Sequence, residues 1–310
     1  MQKPTNESFK RNKIKKKELL DDLTFSKGIQ VLKTNILKTN KRMPDNREKS
    51  NDFQKSAWGI SFQSAPLNRK NVVYEKHDGY HIYKDQLNVF KIKASDNGSI
   101  DFKLHSREGG TKTRNKSVLE YKSQIFVEQN LKKHQKLIDM NALNIRLDGM
   151  IDQCVDQNGD AYDPERHGAA LSWFFILSSD TEENTNQSER RNEKEFFWFC
   201  VPVFDCRHDF IKSSAHIDSE FLRDSHELIY SMGSQMYLDE PIEYEKPYSI
   251  EIDIFPYLRD AFVYAVNNEF LINARFEDMT INAMHIGWMV NGVFDVVSSI
   301  QNISVTCHLK

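Results

Sequence analysis

Glycine and proline are scarce, at 12 and 8 of 310 residues, which excludes a fibrous or linker-dominated protein. No apolar run approaches the ~20 residues that a membrane-crossing helix needs. The N-terminus is charged and no apolar stretch follows it, so it does not read as a secretory signal. The four cysteines, Cys154, Cys200, Cys206 and Cys307, contain no C-x-x-C pair. Free thiols in a reducing cytoplasm are therefore expected, with secretion as the alternative if the true start lies upstream. No cofactor is expected from the motifs. There is no G-x-G-x-x-G, no phosphate-binding G-x-x-x-x-G-K-[ST] and no G-x-S-x-G. His226-Glu227 is followed by Leu228, Ile229 and Tyr230, so the second histidine of H-E-x-x-H is missing.

Charge of one sign is also lacking overall. The formal net charge of −3 gives no general attraction to polyanions. Lys10, Arg11, Lys13, Lys15, Lys16 and Lys17 crowd one end. No aromatic residue interleaves with them as base stacking would require, so residues 1–17 read as a solvated, disordered basic arm and no nucleic-acid partner is expected. Residues 18–310 then form a single domain, with 178–195 as a charged loop insertion.

What is abundant is aromatic and alternating. Aromatics make up 11% of the chain, enough large apolar surface for a sizeable core. In SIDFKLHS, Ile100, Phe102 and Leu104 alternate with Asp101, Lys103 and His105, the period of a half-buried strand. Ile125 and Val127 oppose Gln124, Phe126 and Glu128; Leu143, Ile145 and Leu147 oppose Asn144, Arg146 and Asp148. Residues 170–177 and 196–207 are nearly continuous apolar runs, as in central strands covered on both faces. Residues 72–83 read as a hairpin turning at Asp78-Gly79; Asp96-Asn97-Gly98 and Asn291-Gly292 mark further turns. In 254–271, Leu258, Ala261, Phe262, Ala265 and Val266 recur at helical spacing, behind Pro256 and a capping Asp253. The expected fold is mainly β: a jelly-roll-type antiparallel β-sandwich with one amphipathic helix near 256–270.

Candidate sites follow from polar residues on the strands. Cys200, Cys206, His208 and His216 do not suit a metal, because one strand would hold the two sulfurs about 20 Å apart. Asp156, Asn158 and Asp160 alternate as oxygen ligands do in the front half of a calcium loop. The glycine falls at Gly159 and no glutamate stands twelve positions on, so an Asx-rich turn is the competing reading. Glu128, with Asp205 and Arg207 at the end of an apolar strand, would line a groove if their strands adjoin. Trp173 and Trp198 lie within apolar runs and read as core, which leaves Trp58 and Trp288 for stacking. Glu108 and Glu128 would serve as acid and base if they stand ~5–9 Å apart.

The LTFSKGIQV opening at 23–31, AWG at 57–59, Glu108-Gly109-Gly110, VEQ at 127–129, Trp198 with PVFDCR at 202–207, and the ending MHIGWMVNGVFDV together resemble a group of bacterial concanavalin-like or jelly-roll β-sandwich proteins. The resemblance is spread over residues 19–309 and implies a lectin-like sandwich that binds or acts on oligo- or polysaccharide. Three functions are expected in turn. The first is a non-catalytic carbohydrate-binding surface. There Trp288 stacks on a sugar ring, Arg207 donates to hydroxyls or a uronate, and Asp205 and Glu128 accept. The second is a polysaccharide hydrolase or lyase using Glu108 and Glu128. The third is a cytoplasmic protein-interaction module. The oligomeric state is left open.

Overall fold

Period-two alternation of apolar and polar residues produces strands along most of the chain. The structure, a computed structural model, describes residues 15–31, 56–63, 73–84, 89–93, 95–105, 122–131, 135–179, 195–218 and 227–310. The strands are β1 (Lys15–Glu18), β2 (Ile29–Val31), β3 (Trp58–Gln63), β4 (Val73–His77), β5 (Tyr80–Lys84), β6 (Val89–Lys93), β7 (Ser99–His105) and β8 (Lys122–Asn130). Then follow β9 (Met140–Asp156), β10 (Gly168–Ser179), β11 (Phe196–Asp205), β12 (Ser214–Asp218), β13 (Glu227–Ser231) and β14 (Pro247–Asp253). The helix α1 (Phe255–Asn267) precedes β15 (Met279–Asn291) and β16 (Phe294–Leu309).

Two eight-stranded sheets result. The first has the order β14-β9-β16-β7-β6-β5-β4, with β1 also paired to β16; the second runs β12-β13-β11-β10-β15-β8-β3-β2. Pairing is antiparallel except between β11 and β13 and between β2 and β3. The inner faces meet in one core. Phe90, Phe102, Ile145 and Val296 of the first sheet and Trp173, Phe175, Phe199 and Ile286 of the second are all buried there. This is the expected β-sandwich. Among the described residues no helix is long and apolar enough to cross a membrane.

The local signals place the turns correctly. Asp78 and Gly79 have φ of 49° and 79° between β4 and β5. Two successive left-handed residues are what a two-residue hairpin twisted to match its strands requires. The helix also stands where the periodicity puts it, with Leu258, Ala261 and Ala265 buried. The Asp253 carboxylate accepts the Phe255 N–H at 3.0 Å, but it also accepts the Leu143 N–H at 2.8 Å, so it ties the helix start to β9. Val266 is exposed instead of buried, because the apolar stripe is narrower than the spacing suggested.

Three expectations are corrected. Lys15, Lys16 and Lys17 belong to β1 and not to a disordered arm: they pair with Leu309, His308 and Cys307. The Glu18 carboxylate fastens this strand by accepting the Val305 N–H at 3.0 Å and the Ser304 hydroxyl at 2.8 Å. Residues 1–14 lie outside the described residues, as do 180–194 of the charged insertion. The strand read at 143–149 is the middle of a much longer one, β9. The strands flanking Asn291-Gly292 do not pair, because the chain crosses there from the second sheet to the first. Asn158 holds that crossing, its side-chain oxygen accepting the Val293 N–H at 2.9 Å and its amide donating to the Val293 carbonyl at 3.1 Å.

Candidate active site on the outer face of the second sheet

In β8, Ile125 and Val127 point into the core and Phe126 and Glu128 point outward. In β15, Met284, Ile286 and Trp288 are inward, which turns His285, Gly287 and Met289 outward. Register then builds a row across the outer face. Glu128 stands opposite His285, His285 opposite Phe174, and Phe174 opposite Cys200.

The row carries one carboxylate next to His285, and the His285 ring opens onto an aromatic cluster. Glu128 Oε2 accepts the Ser61 hydroxyl at 2.9 Å and lies 3.5 Å from His285 Nδ1. The two side chains keep only 20% and 13% of their surface exposed. Burial holds the His285 imidazole below the usual histidine range, opposed by the charge of Glu128. His285 lies 5.2 Å from the Trp198 ring and 6.2 Å from that of Phe126. Phe174 completes the box at 5.8 Å from both Phe126 and Trp198. Ile229 and Met289 extend the apolar lining. A solvated sheet face would carry scattered polar residues; this one has an aromatic cluster around His285, with an oriented carboxylate at its edge.

The expected site residues that the structure describes are not brought together. Glu108 lies outside the described residues. Asp205 shares the outer face, but β11 is three strands from β8, about 14 Å by strand spacing. Its carboxylate is taken up by Arg207, with Nε at 2.8 Å and Nη2 at 2.6 Å. The Arg207 fork is thus directed at Asp205 and not at a ligand. Arg146 and Asp148 lie on β9 in the other sheet and pair with each other at 3.3 Å. Asp156 accepts the Asn158 N–H at 2.8 Å in an Asx turn, the Asn158 amide is engaged with Val293, and Asp160 sits exposed in a short 3-10 turn.

The tryptophans are exchanged relative to expectation. Trp288 is fully buried against Phe204, and its Nε1 donates to Ser298 Oγ at 2.9 Å. Trp58 is fully buried too, its ring tilted against that of Phe25 at 4.8 Å and its Nε1 donating to the Asp22 carbonyl at 2.9 Å. Trp173 is core as expected, whereas Trp198 is half-buried on the outer face. His285, Ser61 and Trp198 were missed as site residues. The signal for His285 was present in MHIGWMV, where it falls on the face opposite Trp288. Around Trp198 both faces are apolar, so alternation carries no sidedness.

No family model and no curated protein matches the chain. Solved structures similar to it include a thermostable cellulase derived from that of Rhodothermus marinus, at 7% identity and a TM-score of 0.40, covering 76% of this chain and 99% of that one. A Humicola grisea cellulase catalytic domain, crystallised with a thio-cellotetraose, gives 9%, 0.39, 75% and 94% in the same order. A family 12 xyloglucanase from Bacillus licheniformis gives 12%, 0.38, 80% and 100%. At such values no shared activity follows. The expectation of a non-catalytic sugar-binding surface is nevertheless corrected. Its stacking residue, Trp288, is core, and its guanidinium is ion-paired with Asp205.

Proposed function

We propose that the chain is a polysaccharide hydrolase whose substrate lies across the outer face of the second sheet, with Glu128 as one of two carboxylates. The observation that carries this reading is the position of Glu128: outward on β8, half-buried, held by Ser61 and beside His285, whose ring opens onto the cluster of Phe126, Phe174 and Trp198. Aromatic rings supply flat apolar surface for the faces of sugar rings. The Ser61 hydroxyl donates to Oε2 and fixes the carboxylate's direction, and in this reading Oε1 faces substrate or water. Hydrolysis of a glycosidic bond needs a second carboxyl group, ~5–9.5 Å away, to protonate the leaving oxygen. Asp205 is too distant and is paired with Arg207. Glu108 is the acid in this reading and Glu128 the base.

The test is release of reducing ends from β-linked glucans and xylans by the full chain. Wild type is expected to release them. Glu128→Gln should lower the rate by about 10²–10⁴-fold, the usual contribution of a general acid or base. Failure of wild type to release reducing ends, an unchanged rate in Glu128→Gln, or products with unsaturated ends would overturn hydrolysis.

A further inference from the structure

At the end of the sandwich where β9 and β11 approach, the two sheets meet through sulfur. Cys154 lies on β9 of the first sheet, and Cys206 directly follows β11 of the second. Their thiols hydrogen-bond to each other. Neither backbone is loose. Cys154 is paired with Val296 of β16. The Cys206 N–H donates to the Ala169 carbonyl at 3.1 Å, and the Ala169 N–H donates to Cys206 Sγ at 3.2 Å. Both residues are only partly buried, unlike the other two cysteines. The other two cysteines differ: Cys200 is buried with Ser231 and Ser172 as partners, and Cys307 is buried in the core.

We propose that Cys154 and Cys206 form a disulfide that joins the two sheets when the folded chain meets a low-molecular-weight disulfide. This site is separate from the outer face of the second sheet and does not depend on the hydrolase reading. Cys206 is the attacking sulfur. Hydrogen bonds from Cys154 and from the Ala169 amide favour its thiolate, while Cys154 is held as a thiol. The Cys206 thiolate attacks one sulfur of the small disulfide, forms a mixed disulfide and releases one small thiolate. Cys154 then loses its proton to solvent and attacks Cys206 Sγ, releasing the second. Two protein thiols are oxidised and one small disulfide is reduced to two thiols.

The experiment uses the full chain, purified reduced and then held native with glutathione disulfide. After the remaining thiols are blocked with an alkylating agent, it is digested without reductant and analysed by mass spectrometry. The expected product is one cross-linked peptide pair containing Cys154 and Cys206, with Cys200 and Cys307 alkylated. In Cys154→Ser, Cys206 should instead accumulate as the glutathione adduct, which reads the order of attack without requiring the cross-link. Native protein in which both thiols stay alkylatable, or in which Cys206 carries glutathione while Cys154 stays free in wild type, would overturn the proposal. So would a cross-link that uses Cys200 or Cys307.

Discussion

Glu128 and Trp288 belong to adjacent strands yet face opposite ways, and that one-residue parity separates a site residue from a core residue. Trp288→Ala should therefore cost about 3–5 kcal/mol of stability by denaturant unfolding, the usual range for emptying a buried tryptophan site. A loss under about 1 kcal/mol would mean the side chain is not core. His285 gives a pH signature. Its imidazole is held below the usual range by burial, whereas in the unfolded chain it titrates near ~6.5. Below that value the unfolded state takes up the proton first, so the His285 contribution is complete above about pH 6.5 and is lost as pH falls toward the folded value. His81, shifted down by burial and by Lys76, acts in the same direction. The comparison is thus between wild type and His285→Gln. The variant should show a shallower loss of stability from pH 7 to 5, and identical slopes would contradict the assignment. At this scale the sequence was legible where one face is polar, as at Glu128 and Phe126. It was illegible where both faces are apolar, as at Trp198.

Among the elements, β8 and β15 carry the site, and Gly287 lets them approach. A Cβ at Gly287 would collide with the Ile125 carbonyl oxygen, which is backbone and cannot rotate away. Gly287→Ala should lower stability by at least about 1–3 kcal/mol, the cost of overpacking a filled interior. It should also reduce hydrolysis, since it forces apart the strands that hold Glu128 against His285. A variant with the wild-type denaturation midpoint would show that the strands are not so closely set. Strand existence, the hairpin at Asp78-Gly79 and the helix were readable because each depends on neighbours in sequence. Strand length and partnership were not. The continuation of β9 through Asp156 and the capture of β1 by β16 depend on residues more than a hundred positions away.

For the whole molecule, two sheets share one core, and the second sheet has a second apolar layer on its outside. That outer layer sets this face apart from an ordinary solvated sheet, and it could not be read until the strand order was known. The fastening of β1 was not legible in the basic run, because it depends on β16 at the other end of the chain. The tryptophans offer a direct probe, since Trp58, Trp173 and Trp288 are fully buried and Trp198 alone of the four is on the outer face. The decisive measurement is the fluorescence of the hydrolysis-deficient Glu128→Gln chain, titrated with β-linked gluco- and xylo-oligosaccharides. The account predicts a saturable change in emission that disappears when Trp198→Phe is added. No change with any of these sugars, or a change that survives Trp198→Phe, would contradict a substrate lying beside Glu128.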